Sequence, residues 1–314
     1  MCPNPTRGSH SIQLQRHCYS PTTNGVSSTI TCDSLWLNSN PPRISGPLPS
    51  RDKFVVNGGV KIHYEIDGTG TAVVMRTGAG GDCRIWKDAG YVAGLPNYRK
   101  ILIDQRGRGR SDRPSTIESH SIELHVSDIC AVLDDVGAES AAYMGYSAGA
   151  ALGLAFGALH PNRLEALVGI GSLPMVNYAD RPRPSDMAAE IQRIVAAGGV
   201  RAEYEAFVRE DHDRFPDPIH NNVLGGDPLM RALDAAASYS TTWRGPLDAY
   251  PTMEEPVLML SGEKEDTERD TEKAVSLMPR ARVVRLPGIG HLSTFYRSDL
   301  TLPHIIPFFK ENLG

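Results

Sequence analysis

The pattern of apolar residues predicts an α/β fold, in which a mostly parallel sheet carries helices on both faces. Short apolar runs that end in glycine-rich turns alternate with longer stretches of helical spacing. Such alternation is typical of βαβ units, whose helices cover both faces of a parallel sheet. From residue 174 to about 250 only helical stretches remain. This interruption predicts a helical insertion that acts as a lid or cap.

The composition excludes several classes of protein. The chain has 314 residues, 40% of them hydrophobic, which suffices for one large α/β domain or two small ones. A net charge of −5 argues against a nucleic-acid partner. No run reaches the ~18 apolar residues of a membrane span, and no secretory signal is evident. We expect a cytoplasmic protein that acts on a small molecule and has no nucleic-acid or membrane partner.

Cysteine usage points to free thiols. The five cysteines are odd in number and form no CxxC motif or Cys/His cluster. Thiols of this kind are typical of a reducing compartment. Because the CxxC motif and the Cys/His cluster are missing, we expect no metal. We expect no cofactor either. Oligomeric state has no signature in the sequence.

The chain divides by pattern into four segments. Residues 1–52 are polar and aperiodic, and we interpret them as a disordered leader. A transit peptide is the alternative, because acidic residues are scarce before Arg51. An N-terminal core segment (53–173), a helical lid (174–250) and a C-terminal core segment (251–314) follow.

The predicted elements follow one another along these segments. The Asn-Gly pair at 57–58 separates two alternating runs and predicts a hairpin. Later strands are predicted at 72–75, 100–104, the run before 147, 164–170, 257–260 and 282–286. Helices are predicted at 83–93, 118–136, 147–159, 187–197, 201–211, 227–238, 271–277 and 299–312, the last interrupted by Pro303. The arginines of DQRGRGRSD at 104–112 are interpreted as structural groups that bond carbonyls and carboxylates rather than as an anion patch.

The sequence GYSAG at 145–149 lies between an apolar run and an Ala/Gly-rich helical stretch. It has the form of a nucleophile elbow, a strained turn at which Gly145 and Gly149 leave room for Ser147. A serine hydroxyl is a poor nucleophile at neutral pH. It needs a base, an acid that orients the base, and donors for the developing oxyanion.

Candidate partners for Ser147 follow other strands. His291 is the only one of ten histidines in a glycine-rich loop directly after a strand. The acidic loop after strand 257–260 offers Glu265 and Asp266 as candidate orienting acids. The N–H groups of Ala148 and of Ala79, in TGAGGD at 77–82, are the expected oxyanion donors. That loop lacks the Gly-Lys-Ser/Thr of a phosphate-binding loop.

Four motifs in this order resemble those of the α/β-hydrolase fold superfamily over about residues 53–314: TGAGG at 77–81, DQRGRGRS at 104–111, GYSAG at 145–149 and GH at 290–291. The resemblance implies a mostly parallel eight-stranded α/β-hydrolase sheet with helices on both faces and a helical lid insertion. It also implies Ser147 as nucleophile, His291 as general base, and Asp266 or Glu265 as the third member.

The chain departs from the family at two positions. Thr77 stands where the family usually has a histidine that supports the oxyanion loop. The family's Gly-x-x-Asp acid motif would place Glu265 at the acid position. Because aspartate is the commoner acid in the family and often lies one residue later, we favour Asp266.

The leading hypothesis is a serine hydrolase that cleaves a carboxylic ester or lactone. Hydrolysis of a carbon–carbon bond in a diketone by the same residues is one alternative. A non-catalytic small-molecule receptor on the same fold is another. Epoxide hydrolases and haloalkane dehalogenases are disfavoured, because the resemblance implies aspartate at position 147 in those members.

Substrate preference is expected to depend on the lid. An apolar pocket would suit a small to medium hydrophobic acyl or alcohol group. The candidate pocket residues are Tyr146, Trp86, Met175, Tyr178 and Trp243, with Leu173 and Phe207 as further wall residues.

Overall fold

The computed structural model describes residues 52–171, 184–240, 249–265 and 268–314. Residues 1–51 of the predicted leader (1–52), the segments 172–183 and 241–248 at the predicted lid boundaries, and five predicted site residues lie outside these ranges. Those five are Leu173, Met175, Tyr178, Trp243 and Asp266. Within the described ranges, no helix combines the length and the apolar character needed to cross a bilayer.

Eight strands form one sheet, in the order β1-β2-β4-β3-β5-β6-β7-β8. Only β2 runs antiparallel to its neighbours, β1 and β4, and the other pairings are parallel. The predicted mostly parallel eight-stranded sheet and its N-terminal hairpin are therefore confirmed. The strands are β1 (Asp52–Asn57), β2 (Val60–Asp67), β3 (Ala72–Arg76), β4 (Arg99–Ile103), β5 (Ala141–Tyr146), β6 (Leu164–Ile170), β7 (Val257–Gly262) and β8 (Ala281–Leu286).

Helices cover both faces of this sheet. Alternate residues of a strand point to opposite sides, so apolar strand residues on each face can pack against helices. Val73 and Met75 join the apolar cluster beneath the helices at 85–88, 91–94 and 298–313, whereas Val74 joins the cluster beneath the helices at 122–135 and 148–159. The described helices are α1 (Ile85–Asp88), α2 (Tyr91–Gly94), α3 (Ile122–Asp135), α4 (Ala148–Leu159), α5 (Met187–Ala196), α6 (Val200–Asp211), α7 (Asp217–Leu224), α8 (Pro228–Ser240), α9 (Glu268–Leu277), α10 (His291–Tyr296) and α11 (Ser298–Leu313).

Helices α5 to α8 all lie between β6 and β7 in the sequence, and we call them the helical insertion. Three of them match predicted helices, but no helix was predicted at α7, where prolines stand at positions 216 and 218. Pro218 lies in the first turn of α7, where the missing N–H has no helical partner to lose. Proline therefore starts this helix rather than ending one.

Two other predictions about helices are corrected by the structure. The helix predicted at 83–93 is broken into α1 and α2, because Gly90 adopts a left-handed conformation with φ of 87°. The C-terminal helix runs through Pro303 without interruption. Burial of Ile305, Phe308 and Phe309 against the sheet offsets the lost hydrogen bonds.

The turn between β5 and α4 holds Ser147 in a strained conformation. Its φ of 53° and ψ of −119° are unusual for a residue with a side chain. A Cβ at Gly145 would lie 2.4 Å from the carbonyl oxygen of Gly149, and a Cβ at Gly149 would lie 2.4 Å from that of Thr77. Both glycines are required by the backbone, so the predicted elbow geometry is confirmed.

We expect Gly145→Ala to destabilise the protein by at least about 2 kcal/mol, because the new methyl group would meet backbone atoms that cannot rotate away. Gly226→Ala is the matched control, since its Cβ would find its nearest neighbour at 3.4 Å, an ordinary contact. Urea denaturation of both variants measures the difference. Equal stabilities would contradict the steric account of the elbow.

Candidate active site

Half-buried Ser147 and the buried side chains of His291 and Glu265 form a continuous hydrogen-bonded chain at the carboxyl end of the sheet. His291 Nε2 lies 3.1 Å from Ser147 Oγ, and His291 Nδ1 lies 3.3 Å from Glu265 Oε2. The side chains of His291 and Glu265 are 6% and 1% exposed, so little water competes for the contact between them. The sequence favoured Asp266, which lies outside the described residues; among the described residues, the carboxylate beside the imidazole is that of Glu265, the alternative acid.

The Glu265 carboxylate is held by two further groups. Its Oε1 accepts a hydrogen bond from the N–H of Gly262 at 2.7 Å. The Thr294 hydroxyl lies 2.9 Å from the same oxygen and 2.8 Å from the Gly290 carbonyl. These contacts occupy Oε1 and leave Oε2 facing the imidazole, which fixes the orientation of the ring.

The imidazole of His291 is packed between two aromatic rings. Phe207 of α6 stacks on it with centroids 4.3 Å apart, and Tyr146 stacks on it at 5.2 Å. A Cβ at Gly171 would lie 3.2 Å from the imidazole. The absence of a side chain at Gly171, directly after β6, therefore leaves room for the ring. The prediction placed His291 in a loop, whereas it is the first residue of α10.

Carboxylates at the end of α6 hold the first turn of α10. Asp211 Oδ2 accepts the N–H of Leu292 at 3.0 Å, and Asp213 accepts the hydroxyls of Ser293 and Tyr296. Burial raises the pKa of Asp211, and the neighbouring carboxylates act in the same direction. The helical insertion therefore holds the backbone that carries His291. Sequence reasoning missed these contacts, which join residues about 80 positions apart without a local signal.

The two expected oxyanion donors border Ser147. Ala148 begins α4, where the first N–H groups have no intrahelical acceptor. Ala79 lines the cavity beside Ser147. Within the described part of the chain, neither of these N–H groups donates to a protein acceptor. Both are free to meet negative charge on an oxygen bound beside Ser147.

The cavity next to Ser147 is small and mostly apolar, with a volume of about 50 Å³. Of the predicted pocket residues within the described ranges, Tyr146 and Phe207 line it and Trp86 does not. Trp86 is fully buried in the core, where its ring meets the edges of Tyr91 and Phe295. The remaining lining residues are Gly78, Ala79, Gly80, Ser147, Val200, Glu203, Tyr204, Phe215, Val223, His291 and Leu292.

One cluster near the site has side chains of the kinds that bind metals, namely the buried His120 and His125 and the half-buried Asp234. Its geometry favours a structural role. Arg108 donates to Asp234 at 2.7 Å, and the two ring nitrogens of His120 face Asp234 and the carbonyl of Pro114. A guanidinium at this distance opposes the binding of a cation by the same carboxylate.

The alpha/beta hydrolase family model matches residues 74–301, from β3 into α11. The chain belongs to the alpha/beta hydrolase family. The match includes the elbow, the acidic loop and the loop that carries His291, so the hydrogen-bonded chain lies wholly within the family region.

Individual members of the alpha/beta hydrolase family resemble parts of this chain. Epoxide hydrolase B of Mycobacterium tuberculosis is 32% identical over 162 residues, which are 48% of this chain and 44% of that protein. The chain thus spans less than half the length of this curated relative. The 2-(acetamidomethylene)succinate hydrolase of Mesorhizobium japonicum is 26% identical over 226 residues, 67% of this chain and 78% of that one.

A solved structure supports the same fold. A hydrolase from Pseudomonas aeruginosa matches with a TM-score of 0.68 and 19% identity, over 83% of this chain and 98% of that one. At this level of identity the likeness shows the shared fold of the alpha/beta hydrolase family and nothing about substrate.

We expect Thr294→Val to lower kcat about tenfold, because the Glu265 carboxylate would lose a donor that holds it against His291. Thr301→Val is the matched control. It removes an equally buried hydroxyl that lies 2.8 Å from Tyr91 Oη and does not touch the site. Steady-state kinetics on both variants, with thermal unfolding to confirm the fold, measure the effect. A kcat for Thr294→Val equal to that of the control would contradict this role.

Proposed function

We propose that the protein is a serine hydrolase that cleaves a carboxylic ester or lactone of a small to medium hydrophobic substrate through an acyl-enzyme. The observation that carries the proposal is the hydrogen-bonded chain from Ser147 through His291 to Glu265. Its distances suit transfer of the serine proton to the imidazole. Glu265 takes the role of the third member in this proposal.

In the proposed mechanism, Ser147 Oγ attacks the carbonyl carbon as its proton passes to His291 Nε2. The N–H groups of Ala79 and Ala148 stabilise the negative charge that develops on the carbonyl oxygen. Glu265 orients the ring and stabilises the imidazolium. His291 then donates its proton to the leaving alkoxide, and a water molecule activated by His291 releases the acid from Ser147.

The relatives support hydrolysis in general. We infer the type of bond that is cleaved from the residues of this chain. Epoxide hydrolase B is similar over half of the chain, but the elbow residue here is serine, which forms an acyl-enzyme from a carbonyl substrate. Carbon–carbon bond hydrolysis would use the same three residues. A panel of p-nitrophenyl esters, lactones and a ring-cleavage diketone assigns the bond type, and we expect turnover of the esters or lactones.

A fluorophosphonate probe tests the nucleophile and the acid together. We expect covalent labelling at Ser147, found by mass mapping, and none in Ser147→Ala. Glu265→Gln should lower kcat by two to four orders of magnitude, because the neutral amide no longer stabilises the imidazolium. Asp266→Asn is the matched control, expected within a few-fold of the wild-type rate. Absent labelling would favour a non-catalytic receptor, and loss of activity in Asp266→Asn alone would identify Asp266 as the acid.

The cavity volume predicts a preference for short acyl chains. About 50 Å³ is a few times the ~10–15 Å³ that one water needs on the same measure, so a short acyl group fits without movement of α6 or α7. We expect Val223→Ala, which removes two methyl groups from the wall, to shift the preferred p-nitrophenyl ester towards longer chains. Rates across an acetate-to-octanoate series measure this. An unchanged profile would contradict the assignment of Val223 to the acyl pocket.

A further inference from the structure

The loop at 77–82 that carries Ala79, here called the oxyanion loop, is held from behind by a buried guanidinium. Arg108 Nη2 and Nε donate to the carbonyl oxygen of Ala79 at 2.9 Å and 3.2 Å. Arg108 is 3% exposed and comes from the arginine-rich turn after β4. A guanidinium that makes two hydrogen bonds to one carbonyl restricts the rotation of that peptide.

Arg108 is in turn fixed by a carboxylate of the helical insertion. Its Nη2 lies 2.7 Å from Asp234 Oδ2, and Asp234 belongs to α8. The other oxygen of Asp234 lies 2.6 Å from His120 Nδ1 and 3.5 Å from His125 Nε2. Burial alone would raise the pKa of Asp234, but the charge of Arg108 and the hydrogen bonds from both histidines hold it below its usual range. The carboxylate therefore stays ionised at neutral pH.

The helical insertion also holds the far end of the oxyanion loop. The side chain of Asn222 in α7 accepts the N–H of Asp82 at 2.8 Å and donates to the Asp82 carboxylate at 2.8 Å. Between the two attachments, the valines of α6 and α7 pack directly on Gly80, where a Cβ would lie 2.9 Å from each. The helical insertion thus supports the oxyanion loop at Ala79, through Arg108, and contacts it directly at Gly80 and Asp82.

We propose that Arg108, held in place by ionised Asp234, is a positioning residue that sets the direction of the Ala79 N–H towards the oxyanion. This inference rests on the proposed function and deepens it. The N–H and the carbonyl of Ala79 belong to two planar peptides that meet at its Cα. Fixing the carbonyl therefore leaves only the backbone rotations of Ala79 itself to change the direction of its N–H. The insertion then affects the rate of the chemical step as well as the shape of the pocket.

The test compares Arg108→Met with Arg110→Met as the matched control. Arg110 lies in the same turn, pairs with Asp52 and does not contact Ala79. The measurements are kcat and KM for an ester and the Ki of a trifluoromethyl ketone, whose adduct places a negative oxygen where the oxyanion forms. For Arg108→Met we expect kcat to fall about 10- to 100-fold with KM within threefold, because a displaced donor acts mainly on the transition state. The Ki should rise by the factor by which kcat/KM falls.

A structural role alone would lower the unfolding temperature without this proportional change in Ki. If Arg108→Met does not fold, Asp234→Asn decides, since it keeps the shape of the side chain and removes the charge. We expect it to lower kcat about tenfold with the same proportional rise in Ki. A folded variant with wild-type kcat and Ki would overturn the proposal. Failure of the wild-type protein to turn over esters or react with the probe would instead overturn the proposed function.

Discussion

The close approach of three backbone segments at the elbow is the constraint on which the site depends. The end of β5, the first turn of α4 and the loop after β3 meet with no space for a Cβ at Gly145 or Gly149. This contact keeps Ser147 at positive φ, with its hydroxyl towards His291 Nε2. The same contact places the oxyanion loop beside the first turn of α4. The proposed nucleophile and the Ala148 N–H are therefore positioned by backbone packing, whereas the direction of the Ala79 N–H also depends on Arg108.

The helical insertion completes this arrangement from the opposite side. Phe207 stacks on His291, Asp211 accepts an N–H of the turn that follows His291, and Asp234 holds Arg108 against the oxyanion loop. These contacts reach both the proposed base and the proposed oxyanion donors. Displacing the helical insertion would break several of these polar contacts. We therefore expect it to support the site and not to open and close over it.

Local sequence signals were sufficient to predict the sheet and to place Ser147 and His291 together at its carboxyl edge. Strands of a parallel sheet deliver the residues that follow them to one edge, so GYSAG and the loop before His291 could be placed without coordinates. The arginine-rich turn was also read correctly, since Arg108 bonds a carbonyl and a carboxylate. The choice between Glu265 and Asp266 depends on the path of a short loop, and no local signal reveals that the N–H of Gly262 and the Thr294 hydroxyl hold the Glu265 carboxylate.

Other features required tertiary structure. Trp86 follows the glycine-rich loop in sequence, yet its ring packs into the core against Tyr91 and Phe295. Asp211 and Asp234 are ordinary helix residues by sequence, and their partners lie about 80 and 126 positions away. No periodicity or motif links residues that far apart.

A crystal structure of the protein after reaction with the fluorophosphonate probe tests the account most directly. The account predicts phosphorus bonded to Ser147 Oγ, with the phosphoryl oxygen within hydrogen-bonding distance of both the Ala79 and the Ala148 N–H. Arg108 should remain on the Ala79 carbonyl, and Glu265 should remain beside the His291 ring. An adduct on another residue, or a phosphoryl oxygen turned away from both N–H groups, would contradict it.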